Sequence, residues 1–160
     1  MTNILFRKTA KDWSVWACQS AKLAGDCLKD EDEPRLRSCY ILLSYAFELM
    51  LKSRLVAVSN ITETDITQKY GHGFVKILKE LASRGELGKI GIRSLPKKVK
   101  DYIYSIEMID DGVFYVHDFT NIRYYPKPLK DSWDTAGTVR NTAKIMVNIS
   151  GNIHNLWRGI

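Results

Sequence analysis

The most informative stretch of the chain is residues 34–58, which read PRLRSCYILLSYAFELMLKSRLVAV. At 100° per residue, its apolar side chains fall on two nearly opposite stripes. One stripe holds Leu36, Tyr40, Leu43, Phe47, Met50, Leu51 and Val58, and the other holds Leu42, Tyr45, Leu49 and Val56. A helix that is apolar on two sides must be covered twice. We therefore predict either the central rod of a bundle or a core helix that also meets a second subunit.

The two stripes are separated by a narrow polar seam of Arg37, Ser44, Glu48 and Lys52. Glu48 precedes Lys52 by four residues, the favourable order for a helical ion pair, and on an exposed helix such a pair contributes about 0.2–0.5 kcal/mol. The apolar flanks of the seam indicate partial desolvation, and a desolvated carboxylate requires a cationic or hydrogen-bonding partner. The candidate partners of Glu48 are Lys52, His72 and Arg123.

Four further helical patterns flank this segment. The first covers roughly residues 10–29, and its apolar face holds Trp13, Trp16, Ala17, Ser20, Leu23, Ala24, Cys27 and Leu28. After a loop at residues 59–70, Gly71-His72-Gly73 opens a short helix. Pro96 is predicted to start a fourth helix, whose apolar residues are Val99, Tyr102, Ile103, Ile106 and Ile109. The last helix covers about residues 132–157.

The helical period disappears between residues 110 and 130, where aromatic residues are frequent. This segment is predicted to be an ordered excursion that its aromatic side chains pack onto the bundle. The sequence shows no convincing strand pair and no repeat of 20 to 50 residues. We therefore predict an all-α fold, an up-and-down bundle of four to five helices.

Composition indicates one folded domain over residues 1–160. Apolar residues make up 45% of the chain, and 24 Lys and Arg against 18 Asp and Glu give a net charge of +6. No run of 18 apolar residues occurs and charge appears early, so we expect no membrane contact and a cytoplasmic protein. The three cysteines, Cys18, Cys27 and Cys39, are expected to be small reduced hydrophobes.

Two candidate recognition residues lie outside the central helix. His72, in Tyr70-Gly71-His72-Gly73, begins a helix, where it would act as a base or recognise phosphate. Its structural alternative is a local hydrogen bond that holds the loop. Arg123 precedes Tyr124, and an arginine beside aromatic rings can stack on a nucleobase and clamp a phosphate. Alternatively, Arg123 pins the aromatic segment to a carboxylate such as Glu48.

Two further surfaces are weaker candidates. Basic residues cluster at Arg84, Lys89, Arg93, Lys97, Lys98 and Lys100, which is consistent with a phosphate-facing patch. Asparagines on the last helix repeat every seven residues at Asn141, Asn148 and Asn155, with a solvated face as the default interpretation. The sequence contains no P-loop, Rossmann fingerprint, zinc-binding spacing or nucleophile elbow, and it predicts no cofactor and no metal site.

Residues 44–55, SYAFELMLKSRL, followed by residues 70–78, YGHGFVKIL, resemble the HEPN superfamily. The shared pattern is an acid-Leu-x-Leu-Lys helix, a variable loop, and Gly-His opening a short helix. The resemblance implies a compact bundle of four or five helices, commonly dimeric, found in prokaryotic toxin–antitoxin and phage-defence systems and often beside a minimal nucleotidyltransferase. By motif position it carries over Glu48, Lys52 and Gly71-His72, in a mainly structural role.

Many members of that superfamily are metal-independent ribonucleases that use an arginine and a later histidine with four to six residues between them. The corresponding windows before His72, His117 and His154 contain no arginine. Arg140 and His154 share the predicted last helix, but a rise of 1.5 Å over fourteen residues places them about 21 Å apart. The ribonuclease pair therefore has no counterpart in this chain.

We expect a catalytically degenerate, HEPN-like binding or regulatory module that forms a homodimer. Its ligand would be RNA, a nucleotide or a partner protein such as a nucleotidyltransferase. The predicted site is a polar pocket of Glu48, Lys52, His72, Arg123 and Tyr124. One alternative is a ribonuclease with His72 or His117 as acid or base and Arg123 or Arg140 on the phosphate. Another is an antitoxin-like subunit that binds only protein; catalysis stays open, with no catalytic residue assigned.

Overall fold

The computed structural model describes residues 4–26, 33–110, 112–124 and 135–158. Its helices are α1 (Ile4–Asp26), α2 (Glu33–Val58), α3 (Glu63–Asp65), α4 (Phe74–Ser83), α5 (Phe119–Tyr124) and α6 (Ala136–Trp157). Its strands are β1 (Lys97–Lys100), β2 (Ile103–Glu107) and β3 (Val113–His117). The predictions for Cys27 and Leu28, for the aromatic segment beyond Tyr124 and for the last helix before residue 135 lie outside the described residues.

Helix α2 lies at the centre of the fold, in contact with α1, α4, α5, α6 and β3. From Leu36 to Leu51 the first apolar stripe is buried, and so are Leu49 and Val56 of the second. Tyr45 is 40% exposed, although its ring lies 5.9 Å from that of Phe119. The chain covers both sides of α2 by itself, which agrees with the central-rod alternative.

Helix α1 packs on α2 and α6 through its small residues rather than its large ones. The fully buried positions are mostly alanine and serine, namely Ala10, Ser14, Ala17, Ala21 and Ala24. Small side chains let helix backbones approach closely: a Cβ added at Gly25 would lie 3.2 Å from the Cβ of Ala143. The predicted apolar face was therefore wrong for Trp16 and Leu23, which point outward and are exposed.

The segment predicted to be a helix from Pro96 is instead β-structure. Strands β1, β2 and β3 form an antiparallel sheet in that order, with Ser105 opposite Tyr115 and Ile106 opposite Phe114. The prediction of no strand pair is therefore wrong. The helix was predicted because apolar residues in this segment are three or four positions apart. The same spacing occurs in short strands joined by turns, and β-branched and aromatic residues favour strands. Positive φ angles at Asp101 (32°) and Gly112 (79°) make the two turns.

The sheet joins the helical core through one face. Phe114 and Val116 of β3 are buried, and the Phe114 ring lies 5.5 Å from that of Phe47 on α2. Strand β1 lies at one edge of the sheet. Every residue of β1 is exposed, and no described strand pairs with its outer edge. The fold is thus mostly helical, as predicted, but the all-α class must be corrected to include this small sheet.

No helix within the described ranges is long and apolar enough to cross a membrane. The described cysteines, Cys18 and Cys39, are free thiols, and Cys39 is buried. The predicted loop at residues 59–70 contains α3 and a π-helical turn at Ile66–Tyr70.

A buried ion pair ties α2 to the segment that follows α4. Arg54 donates from Nε and Nη2 to one carboxylate oxygen of Glu86, at 2.9 and 2.6 Å, and Lys89 donates to the other at 3.2 Å. Arg54 and Glu86 are both buried. Burial raises the pKa of the Glu86 carboxyl, but the hydrogen bonds and charges of Arg54 and Lys89 outweigh it and hold that pKa below its ordinary value of 4.5.

Candidate functional site

The Glu48 carboxylate is buried in the polar seam of α2, where only 3% of the residue is exposed. Lys52 donates from Nζ to Glu48 Oε1 at 2.5 Å, one helical turn further along α2. His72 approaches the same carboxylate from the loop before α4, with Nδ1 at 3.0 Å from Oε2 and 3.2 Å from Oε1. Two of the three partners predicted for Glu48 are therefore in place.

The loop before α4 fixes the orientation of His72. Gly71 has φ +50°, a conformation that L side chains rarely adopt, and Gly73 is the N-cap residue of α4. Because a carboxylate only accepts hydrogen bonds, the hydrogen on the His72 ring must lie on Nδ1 and be donated to Glu48. Nε2 then carries the lone pair that can accept a hydrogen bond, on a side chain that is 51% exposed. Neutral His72 can accept a hydrogen bond from a ligand through Nε2.

Helix α5 places a second set of side chains beside His72. The Asp118 carboxylate accepts from the backbone N–H of Thr120 at 3.0 Å and so caps the start of α5. Ser44 of α2 donates to the carbonyl of His117 at 2.6 Å, and Ile122 is fully buried. These contacts hold α5 against α2 and bring the Phe119 ring to 4.9 Å from the His72 ring.

Arg123 lies between two aromatic rings on the outer side of α5. Its guanidinium carbon is 5.1 Å from the centre of the Phe119 ring and 5.1 Å from the centre of the Tyr124 ring. Arg123 Nη2 also donates to the Tyr124 hydroxyl at 3.1 Å, and Tyr124 is 70% exposed. We call His72, Phe119, Arg123 and Tyr124 the stacking surface.

The five residues of the predicted pocket thus form a continuous series. Glu48, Lys52 and His72 are in direct contact, and Phe119 links His72 to Arg123 and Tyr124. Arg123 contacts aromatic rings, and its predicted role as a partner of Glu48 is taken by Lys52 and His72. The prediction was a polar pocket. In the structure, His72 and Tyr124 instead face solvent, and only the Glu48 carboxylate beneath His72 is buried.

Sequence reasoning missed Phe119, the residue at the centre of this series. Phe119 contacts Tyr45, His72 and Arg123, yet the sequence identified it only as one aromatic residue of the segment at 110–130. The available signal was its spacing of four residues from Arg123, which places both on one face of a helix. That signal has meaning only once α5 is recognised as a helix.

The other two histidines lie elsewhere, including His117, the second histidine proposed as an acid or base. His117 is fully buried on β3, with its ring 4.2 Å from that of Tyr40, so it is out of reach of an RNA phosphate. His154 lies on α6 with Nδ1 at 3.2 Å from Ser14 Oγ of α1. Arg140 is exposed near the start of α6, as expected from the sequence.

The basic cluster between residues 84 and 100 is partly neutralised by acids of the same chain. Arg84 pairs with Glu80, Lys89 with Glu86, and Arg93 with Glu107. The lysines of β1 are exposed along the sheet edge. On α6 the asparagine side is exposed at Asn141, Asn148, Asn152 and Asn155. The stacking surface therefore carries the more specific chemistry.

Comparisons with protein-family models, with curated proteins and with solved structures returned no match to the chain. Within the described part of the chain, no group of three or more His, Cys, Asp or Glu residues is placed to hold a metal ion.

The chemistry of the stacking surface follows from its groups. A guanidinium has five N–H donors in a planar fork that suits phosphate oxygens, and the bond to Tyr124 uses one of them. An exposed tyrosine ring offers a face on which a nucleobase can stack. His72 Nε2 adds a hydrogen-bond acceptor for a hydroxyl or an amine. These three groups together match the parts of a nucleotide.

Proposed function

We propose that this chain is a HEPN-like helical binding module that recognises single-stranded RNA or a nucleotide through the stacking surface. The observation that carries the proposal is the exposed Arg123 between Phe119 and Tyr124, beside a histidine that a buried carboxylate orients. The net charge of +6 supports a polyanionic ligand. The sequence resemblance favours a role in a toxin–antitoxin or phage-defence system, beside a nucleotidyltransferase. The early charges and the lack of a long apolar run favour the cytoplasm.

Each group has a defined role in this proposal. Arg123 neutralises a phosphate, while Tyr124 stacks on the adjoining base. With its hydrogen on Nδ1, His72 accepts from a ribose 2′-hydroxyl through Nε2, which would favour RNA over DNA. The buried pair of Glu48 and Lys52 holds His72 in place and does not itself contact the ligand.

The test is the affinity of the purified chain for a fluorescently labelled single-stranded RNA of about ten nucleotides, measured by anisotropy at low salt. We expect Arg123→Ala to weaken binding by about 10-fold or more, because both a phosphate contact and part of the stack are lost. Arg123→Lys keeps the charge without the planar stack, and its affinity should fall between those of the wild type and Arg123→Ala.

Arg158→Ala is the matched control, because Arg158 is also an exposed arginine but lies at the end of α6. Its removal changes the net charge equally and should weaken binding by about 3-fold or less. Equal losses in the two alanine variants would contradict a site at Arg123. Absence of binding by wild-type protein at about 100 µM would reject the proposal and favour a module that binds protein only.

The second candidate function, a metal-independent ribonuclease, is favoured by the hydrogen bond between His72 and Glu48. In this reaction Nε2 of neutral His72 would take the proton of a 2′-hydroxyl, whose oxygen attacks the adjacent phosphate while Arg123 stabilises the added charge. The bond from phosphorus to the 5′-oxygen of the next nucleotide then breaks, that oxygen takes a proton from water, and a 2′,3′-cyclic phosphate remains. A cleavage assay on single-stranded and structured RNA tests it. Cleavage lost in both His72→Ala and Arg123→Ala would establish the enzyme, whereas cleavage that survives both would indicate a contaminating nuclease.

A further inference from the structure

Helices α1 and α6 pack against each other in opposite directions. His154 of α6 lies beside Ser14 of α1, whereas Ala143 lies beside Gly25, so residue numbers fall along α6 as they rise along α1. A cavity of about 290 Å³ opens between the two helices near the His154 end. Its volume is close to the lower limit for sites that bind a small molecule.

One wall of this cavity is apolar and open. Val15 and Cys18 of α1 line it, and Gly151 lines it from α6. A Cβ added at Gly151 would have no described atom within 4 Å, so packing within the described chain does not require glycine there. Glycine inside a helix is destabilising relative to alanine. The space above Gly151 is therefore open to a ligand.

His154 supplies a hydrogen-bond acceptor at one end of the cavity. Its Nδ1 atom lies 3.2 Å from Ser14 Oγ, and Ser14 donates its single hydroxyl hydrogen to the carbonyl of Lys11 at 2.8 Å. Ser14 can therefore only accept from His154, which places the hydrogen of the neutral imidazole on Nδ1. Nε2 then carries a lone pair that can accept a hydrogen bond from a hydroxyl group.

Lys22 supplies positive charge at the other end of the cavity. It is exposed, and it also lines an adjoining cavity of about 270 Å³ together with Arg140 and Lys144. Among the described residues that line the adjoining cavity, the only acid is Asp26, so this end of the groove favours an anion. Lys22 follows Ser14 by eight residues, which is about 12 Å along α1.

We propose that the cavity between Lys22 and His154 binds a small aromatic carboxylate that carries a hydroxyl group. The carboxylate pairs with Lys22, the flat ring lies in the open space above Gly151, and the hydroxyl donates to Nε2 of His154. A ring with a short carboxylate chain on one side and a hydroxyl on the opposite side suits the separation of the two polar ends. The site shares no residue with the stacking surface and is independent of the function proposed for it.

The first test is isothermal titration calorimetry of the full chain with 3-(4-hydroxyphenyl)propionate as the probe. We expect a dissociation constant of about 10 µM to 1 mM, because the cavity is small and offers two polar contacts. Two related compounds should each bind about 5-fold or more weakly: 3-phenylpropionate lacks the hydroxyl, and tyramine has an ammonium group in place of the carboxylate. Absence of binding by the probe at about 10 mM, or equal binding of all three compounds, would overturn the proposal.

Gly151→Leu is expected to close the site without removing a charge. The leucine fills the space above α6, so binding of the probe should weaken by about 10-fold or more, whereas the helix should be retained in circular dichroism. Asn148→Leu is the matched control, because Asn148 is also exposed on α6 and is not among the residues that line either cavity. Equal losses in the two variants, or unchanged binding in Gly151→Leu, would contradict this location.

Cys18 reports directly on whether the cavity is occupied. Its thiol is free and partly exposed, so iodoacetamide should alkylate it, and peptide mapping by mass spectrometry distinguishes it from the other cysteines. With the probe at about ten times its dissociation constant, alkylation of Cys18 should be about 10-fold slower. An unchanged rate with a probe that calorimetry shows to bind would place the ligand elsewhere and overturn the proposal.

Discussion

Glu86→Leu is expected to destabilise the chain by about 3–5 kcal/mol at pH 7. The substitution leaves the guanidinium of Arg54 buried without the carboxylate that accepts its two hydrogen bonds, and an uncompensated buried charge carries a cost of this size. The measurement is urea-induced unfolding, in which the midpoint should fall while the slope stays the same.

The control for this prediction is Glu80→Leu, which breaks an ion pair on the protein surface. Arg84 and Glu80 are both partly exposed and four residues apart on the chain, so the loss should be below about 1 kcal/mol. A loss of less than about 1 kcal/mol for Glu86→Leu as well would show that Arg54 finds another partner or reaches water.

The same pair predicts how stability depends on pH. Since the pKa of Glu86 is lower in the folded chain than its ordinary value of 4.5, folding favours the ionised carboxylate. The stabilisation is fully present above pH 4.5 and is lost as the pH falls through the lowered value. The difference in unfolding free energy between the wild type and Glu86→Leu should therefore be constant from pH 6 to 8 and shrink below pH 4.5.

Glu48→Leu is expected to cost about 2–4 kcal/mol, the second-largest effect. It removes the acceptor of both Lys52 and His72 from the buried seam of α2. The cost is smaller than at Glu86 because the flexible stem of Lys52 can carry its ammonium group toward water, and His72 is half exposed. Urea unfolding measures the loss.

The double variant Glu48→Leu/Lys52→Met separates the ion pair from the packing around it. Replacing both charges by apolar side chains of similar size removes the unpaired lysine, so most of the lost stability should return. RNA affinity should nevertheless stay about 3-fold to 10-fold below the wild type, because His72 has lost the carboxylate that orients it. A double variant as unstable as Glu48→Leu would show that Glu48 acts through packing rather than charge.

Helices α2 and α4 could be predicted because their signals are local. The two stripes of α2 and the Gly71-His72-Gly73 entry to α4 are each contained in one stretch of chain, and both were located within one or two residues. The burial of Glu48 followed from its apolar neighbours on the same helix. Of its two partners, Lys52 lies one helical turn further along α2, whereas His72 lies 24 residues further along the chain, in the Gly71-His72-Gly73 motif.

The remaining features depend on contacts between distant residues. Residues 97–117 form strands because β2 pairs with β3. The apolar spacing of this segment also suits a helix, so the sequence pattern alone does not distinguish the two structures. Which side of α1 is buried depends on how closely α6 approaches it. The apolar spacing of α1 alone does not predict that distance. Arg54 and Glu86 are 32 residues apart, and neither has a local feature that indicates burial.

The outer edge of β1 determines how these molecules behave toward one another at high concentration. A bare strand edge can recruit the edge of a neighbouring molecule and so begin a growing fibril. Here Lys97 and Lys98 are exposed on that edge, so a second copy arriving there meets like charges. Electrostatic repulsion therefore opposes growth of the sheet from one molecule to the next, and the small sheet can remain open without seeding aggregates.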